Sequence, residues 1–346
     1  ARQKTTRGVD IGPTSVDEQA VLIGHHCGAY RRTRKESNEC TRAAKRCDEE
    51  SVNLAPPVDT GMKVLVTDPI ADAGLDRLAD AGHTVETDYE VEGDALLEAV
   101  ADANALIVRS GTEVTEAVFE AASDLVIVGR AGIGVDNIDI EAATDHGVIV
   151  ANAPEGNVRA AAEHTVAMTF AVARSIPQAH ARLKNGEWAK GAFLGTELNN
   201  KTLGIVGLGR VGQEVAKRLD SLGMDLVVYD PYISPERAEQ FGAELVDDLH
   251  ETLARADVAT VHTPLLPETE GMIGADELAQ LEGGYLINCA RGGIIDEDAL
   301  AAAVDDGVVA GAALDSFAEE PLPADSPLLD VEDVVVTPHL GASTEA

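Results

Sequence analysis

Aromatic residues make up only 3 % of the chain, with a single tryptophan, so any core must be built from aliphatic side chains and alanine. No run of about eighteen apolar residues occurs, which excludes an ordinary membrane-spanning helix. The N-terminal stretch lacks the charged-then-apolar pattern of a secretory signal. Four cysteines, Cys27, Cys40, Cys47 and Cys289, are too few and too irregular for a disulfide framework. Together these absences point to a reducing cytoplasm.

Basic residues are also scarce, at 26 against 61 acidic ones, for a net charge of −35. The deficit is uneven. Residues 1–61 hold 10 basic and 9 acidic groups, which leaves 16 basic and 52 acidic groups for residues 62–346. So acidic a surface repels itself in dilute salt. It suits molar salt, where the Debye length falls to about 3 Å, and a halophilic cytoplasm is the reading. A nucleic-acid partner, which needs a basic face, is disfavoured.

The 346 residues suggest two domains after a distinct leader. Residues 1–61 show no sustained helical or strand period and are expected to be an extension, disordered or a non-native start. His25, His26, Cys27, Cys40 and Cys47 lie there, but they lack paired metal-ligand spacing, so no metal is expected. From Met62 strands and helices alternate. Apolar strands fit at 63–67, 105–108, 125–128 and 148–150, with helices over Asp72–Ala81 and Asp94–Ala101. A long helix over Ala160–Arg174 closes at Ser175-Ile-Pro177. A second series runs from Thr202 to about Val336, with short apolar runs at Leu203–Val206, Leu226–Tyr229, Val258–Val261 and Tyr285–Ile287. Such runs fit strands buried on both faces. The expected fold is α/β, two doubly wound parallel-sheet domains with a cleft between them.

Gly207-Leu-Gly209-Arg-Val-Gly212 follows the first strand of the second series and opens a helix over Val211–Leu222. The first glycine allows a tight turn, the second lets backbone approach a pyrophosphate, and the third lets helix pack on strand. The helix start offers free N–H groups and a positive dipole end. Asp230 ends the next strand, where an acid meets the adenosine ribose hydroxyls and repels a 2′-phosphate; NAD is therefore expected over NADP. Thr263, at the end of the strand 258–261, is placed to touch the same cofactor.

Hydride transfer at a hydroxylated carbon needs a general base, a partner to hold it, and a cation for a carboxylate. Three residues follow successive strands at one sheet edge: Arg291 after Tyr285–Ile287, Glu320 after Ala310–Leu314, and His339 after Val334–Val336. A Glu320–His339 pair would raise the imidazole pKa and fix the ring. Arg291 can hold a carboxylate bidentately. Taken singly, each residue reads better as an ordinary loop side chain than as a catalytic one.

The stretch from Met62 to Ala346 resembles the D-isomer-specific 2-hydroxyacid dehydrogenase family, through the Asn-Cys-Ala-Arg291 turn, the Asp315-x-Phe-x-x-Glu320-Pro loop and Pro338-His339. The resemblance implies that Arg291, Glu320 and His339 are catalytic. It also implies that Arg210, Val211, Cys289, Ala290, Arg291, Asp315, His339 and Gly341 join the glycine loop and Asp230 around NAD. It implies a Rossmann nucleotide domain, 156–336, inserted into a flavodoxin-like substrate domain, 62–155, to which 337–346 returns. Within the family, Val108–Ser110, Gly129–Asn137, Asn152–Asn157, His262–Gly271 and Pro338–Thr344 resemble the members that oxidise 3-phosphoglycerate in serine biosynthesis. For such a substrate, which carries a carboxylate and a phosphate, Arg109, Ser110 and Arg130 are the expected phosphate contacts. The N–H groups of Ile133 and Gly134 would hold the carboxylate. A homodimer is implied as well. The family continues beyond the position of Ala346, so truncation is expected. The rival expectations are a glyoxylate or hydroxypyruvate reductase, which needs no phosphate site, and an NAD-sensing corepressor-like binding protein.

Overall fold

In a computed structural model, residues 61–89 and 91–344 are described. His25, His26, Cys27, Cys40 and Cys47 lie outside them. The chain from Met62 on builds two parallel sheets, each wrapped by helices.

The first sheet is laid down by β1 (Lys63–Val66), α1 (Asp72–Asp80), β2 (Thr84–Thr87), α2 (Gly93–Val100), β3 (Ala105–Val108), α3 (Glu116–Ala121), β4 (Ile127–Arg130), α4 (Ile140–Asp145) and β5 (Ile149–Asn152). Its strand order is β2-β1-β3-β4-β5, all parallel. Leu65, Leu106, Val108 and Val128 point into a core shared with Leu96, Val100, Val118 and Phe119 of α2 and α3.

Two helices follow, α5 (Val158–Ala173) and α6 (Ile176–Lys184). The second sheet then uses β6 (Thr202–Val206), α7 (Arg210–Asp220), β7 (Asp225–Tyr229), α8 (Pro235–Glu239), β8 (Ala243–Val246), α9 (Leu249–Arg255) and β9 (Val258–Val261). It is completed by α10 (Ala275–Leu278), β10 (Tyr285–Asn288), α11 (Glu297–Asp305), β11 (Gly311–Leu314) and β12 (Val334–Val336). Its order is β12-β11-β10-β9-β6-β7-β8. The inner strands β9 and β11 are buried at every position, and apart from Thr260 of β9 their residues are apolar or glycine, as burial on both faces requires. Helix α7 shows how a sequence period becomes packing: Gly212, Val215, Ala216 and Leu219, at i, i+3, i+4 and i+7, form its buried face.

Several sequence expectations are corrected. The strand expected at 125–128 runs two residues later, so Arg130 ends β4 instead of following it. Gly129 pairs with Ile107 and Ala151, because a parallel ladder uses backbone groups and tolerates a glycine and an arginine at its end. Strands β2 and β8 were not expected. Both are edge strands, at least partly exposed, and an edge carries no continuous apolar run to mark it. Pro177 does not simply close the long helix. Ser175, at φ 46°, breaks the chain direction, and Pro177 then sits in the first turn of α6, where its missing N–H costs nothing. No described helix is long and apolar enough to cross a membrane.

Candidate active site

In each sheet the chain sets out in one direction and later returns to build in the other. The reversal lies between β1 and β3 in the first sheet and between β6 and β9 in the second. Loops leaving the carboxyl ends of neighbouring strands part at such a point and leave a crevice. Asp68 and Pro69 after β1, Arg109–Gly111 after β3, Arg210 and Val211 at the start of α7, and His262–Pro264 after β9 all line one cavity of about 460 Å³. The two switch points therefore open into the same space.

Arg291, Ala290 and Cys289 reach this cavity from the end of β10, and His339 and Gly341 from beyond β12. The Asn288 side chain shapes the first of these turns. Its Nδ2 donates to the Arg291 carbonyl at 2.8 Å and its Oδ1 accepts from the Ala290 N–H at 3.0 Å. His339 Nδ1 lies 2.7 Å from Glu320 Oε2. The other Glu320 oxygen accepts the Phe317 N–H at 3.0 Å. Burial pushes Glu320 up, but the bond to His339, the Phe317 N–H and the His339 charge outweigh it, so the carboxyl stays below its usual range. Glu320 is not on the cavity wall; it stands behind the histidine. With Nδ1 engaged, Nε2 is the ring atom left to exchange a proton with a ligand.

Asp315 was expected to touch the cofactor. It lines the cavity, yet its carboxylate oxygens are also the fastening of the His339 loop. They accept from Thr337 Oγ1 at 2.5 Å, from the Leu340 N–H at 2.7 Å and from the Gly341 N–H at 2.7 Å, and His164 Nε2 stands 3.1 Å away. Burial raises its pKa, and the contacts with His164, Thr337 and Leu340 more than reverse that.

The glycine loop forms a cradle with the features a dinucleotide needs. Gly207 has φ +91°, and a Cβ there would press on the Thr263 side chain and the His262 carbonyl. A Cβ on Gly212 would strike the Gly207 carbonyl, whereas Gly209 faces open space. Asp230 Oδ2 accepts the Leu208 N–H at 2.8 Å and Oδ1 the Tyr232 N–H at 2.9 Å. That leaves lone pairs on both oxygens for ribose hydroxyls. Gly207, Gly209, Gly212 and Asp230 thus lie beyond the cavity wall, along the same sheet edge. Thr263 Oγ1 and both His262 ring nitrogens are buried without a hydrogen-bond partner among the described residues. Burial pushes the His262 imidazole down to about 4. Arg237, the one cation near this acid in sequence, is engaged by Gln240 and Gln213 and lies over the Phe241 ring. These residues fit NAD.

The substrate-side residues also converge. Arg109, Ser110, Arg130, Ile133 and Gly134 all line the cavity. Arg109 Nη2 donates to the Ala342 carbonyl at 3.2 Å, tying the first sheet to the segment after β12. Arg130 is 8 % exposed and its Nε has no hydrogen-bond partner among the described residues. Burial pushes its guanidinium pKa down, and Arg291 and Arg109 add to that against Asp136 and Asp68. Gly132 and Gly134 leave room for guanidinium groups, those of Arg130 and Arg291 respectively. Sequence reasoning did not single out Asp68, whose Oδ2 accepts the N–H groups of Arg109 and Thr112, or Asp136, which meets Arg291. Asp68 directly follows a strand at a switch point, a position that could have marked it. Asp136 lies within the quoted Gly129–Asn137 stretch.

The family profile of the D-isomer specific 2-hydroxyacid dehydrogenase NAD binding domain matches residues 166–341. D-3-phosphoglycerate dehydrogenase of Methanocaldococcus jannaschii is 50 % identical over 285 residues, 82 % of this chain and 54 % of its own length. The human enzyme of the same name is 50 % identical over 284 residues, 82 % of this chain and 53 % of its own. The chain thus spans about half the length of the curated relatives it matches. Among solved structures, the TT0316 protein of Thermus thermophilus superposes with a TM-score of 0.76 at 35 % identity, covering 82 % of this chain and 91 % of that one. An NAD-dependent formate dehydrogenase from Staphylococcus aureus in complex with NAD gives 0.72 at 29 % identity, covering 82 % and 90 %.

The geometry makes two predictions. At Gly134 the obstacle to a Cβ is the tip of a flexible arginine, while at Gly212 it is backbone. Gly134→Ala should therefore leave the urea midpoint nearly unchanged and cut turnover by about tenfold or more, through displacement of Arg291. Gly212→Ala should lose both NAD affinity and about 1–3 kcal/mol of stability. Equal stability losses in the two variants would contradict this account. The second prediction concerns pH. The unfolded chain binds a proton on His262 near pH 6.5 and the folded chain only near 4. Stability from keeping this ring neutral is present above 6.5 and lost as pH falls toward 4, by about 3 kcal/mol. His262→Gln should flatten urea stability over that window relative to the parent; parallel pH profiles would refute it.

Proposed function

The chain belongs to the D-isomer specific 2-hydroxyacid dehydrogenase family, and from that premise we propose that it oxidises D-3-phosphoglycerate to 3-phosphohydroxypyruvate with NAD, in serine biosynthesis. The observation that carries the reading is one cavity walled by His339, in contact with Glu320, and by Arg291, Arg109 and Arg130.

When bound, the nicotinamide cofactor supplies the hydride acceptor. His339 Nε2 takes the proton of the C2 hydroxyl, and Glu320, hydrogen-bonded at Nδ1, stabilises the imidazolium that results. Arg291 holds the substrate carboxylate and polarises the oxygen that becomes the carbonyl. The Ile133 and Gly134 N–H groups share the carboxylate, while Arg109, Ser110 and Arg130 hold the phosphate. Arg130 suits that task because its buried charge lacks a carboxylate partner at Nε. Gly207, Gly209, Arg210, Val211, Gly212, Asp230 and Thr263 hold the dinucleotide. Residues 62–155 and 337–346 serve as the substrate domain and 156–336 as the nucleotide domain.

The finer setting belongs to the same proposal. The 52 acidic groups of residues 62–346 suit a halophilic cytoplasm and disfavour nucleic acid. Ile176, Leu183, Trp188 and Leu194 are exposed in and after α6, and that apolar surface supports a homodimer. Sedimentation in molar KCl should give twice the 36.2 kDa chain mass; a monomer would count against the dimer.

The test of activity follows NADH absorbance with 3-phosphoglycerate and NAD in molar KCl, with the ketone product trapped. Turnover should fall by about 10²–10⁴-fold in His339→Ala. Arg130→Ala should raise KM by about tenfold or more. Activity should decline in dilute salt. Turnover of hydroxypyruvate and glyoxylate without turnover of phosphoglycerate would replace this reading with the reductase. A folded, NAD-binding chain with no turnover would contradict enzymatic activity altogether.

A further inference from the structure

We propose that Asp136 is a positioning residue that presets Arg291 from across the cleft, at the cost of holding one negative charge beside an anionic substrate. The inference rests on the reading of Arg291 as the carboxylate-binding cation.

The two residues come from different sheets. Asp136 follows β4 and Arg291 follows β10, 155 positions apart. Arg291 Nε donates to Asp136 Oδ2 at 2.8 Å, and Nη1 donates to the Ala290 carbonyl at 2.7 Å. The guanidinium is thereby held at its inner edge. Its remaining N–H groups, on Nη1 and Nη2, are left for a ligand. The space beside Nη2 exists because residue 134 is glycine, and a Cβ there would meet both Nη2 and Asp136 Oδ1. Arginine, aspartate and glycine therefore form one fitted unit.

The other nearby carboxylate does not do this work. Asp68 Oδ2 is occupied by the N–H groups of Arg109 and Thr112. Among the described residues, the carboxylate that forms an ion pair with Arg291 is Asp136. Arg109 and Arg130 form no such pair with any described carboxylate. Asp136 thus balances part of the positive charge of three arginines that line one cavity. Its side chain is 45 % exposed, so the pair adds little to fold stability; its effect is on the orientation of Arg291. A free arginine loses rotamer entropy when a substrate arrives, and one already fixed does not.

Acceptor and charge can be separated. Asp136→Ala removes both, whereas Asp136→Asn keeps an oxygen for Nε and removes the charge. Steady-state kinetics of the full chain with 3-phosphoglycerate and NAD should show kcat about 100-fold lower in Asp136→Ala, the scale expected of a misplaced catalytic group. Asp136→Asn should recover most of kcat and show a KM several-fold below that of the parent, most clearly in the lowest salt that keeps the chain folded. NADH affinity, read by fluorescence, should stay within about twofold in both variants, which separates positioning from general damage. Oxalate binding by calorimetry provides a readout independent of the true substrate: tightest in Asp136→Asn, and at least tenfold weaker in Asp136→Ala than in Asp136→Asn. If the parent ignores phosphoglycerate, the substrate reading fails and the oxalate series alone decides the role of Asp136. Unchanged kcat in Asp136→Ala, equal impairment of both variants, lost NADH binding, or oxalate affinity identical across the three chains would overturn the proposal.

Discussion

The Asp315 carboxylate is buried where no lysine or arginine among the described residues pairs with it, and an isolated charge in that position would be prohibitively costly. It is stable because the Thr337 hydroxyl and the Leu340 and Gly341 N–H groups converge on it, with His164 of α5 alongside. This knot decides where the chain goes after β12. It turns the backbone so that His339, at φ 50°, faces the cavity and meets Glu320. The His339–Glu320 pair and this part of the crevice wall both depend on donors finding one aspartate. Such an arrangement is geometrically exacting, because each donor lost leaves a buried carboxylate less well satisfied.

Around that knot the molecule reverses its own electrostatic character. The body is overwhelmingly acidic, yet Arg109, Arg130 and Arg291 come together on one cavity wall. In strong salt the remote surface acids are screened over a few ångströms, while contacts inside the crevice are screened far less. The cavity can therefore hold an anion in a protein whose net charge would repel one. Asp68 and Asp136 temper the cluster in different ways. Asp68 shapes a backbone turn, and Asp136 reaches an arginine side chain.

The parts legible in the sequence were those in which a residue type is forced by geometry. Gly207 needs a positive φ, and Gly212 needs the absence of a Cβ, so the glycine pattern, with its flanking strand, helix and Asp230, was legible as a candidate nucleotide loop. Arg291, Glu320 and His339 were legible as loop residues after strands, although only resemblance gave the pattern its weight. The parts that stayed hidden have physical reasons too. Asp68 and Asp136 are acids in a chain crowded with acids, so residue type alone did not mark them, although Asp68 follows a strand at a switch point. Strands β2 and β8 are short edges without an apolar run. The late start of β4 places Arg130 in the ladder, opposite Val108 and Asn152, a register set by backbone pairing and not by hydropathy.

Under the proposed function this crevice moves a hydride from C2 of a phosphorylated 2-hydroxy acid to NAD. The most direct measurement supplies D-3-phosphoglycerate deuterated at C2, with NAD in molar KCl, and weighs the reduced cofactor by mass spectrometry. Each NADH formed should carry one deuterium, with the label absent when the substrate is unlabelled. Reduced cofactor without deuterium, or no reduced cofactor from a chain that binds both ligands, would contradict it.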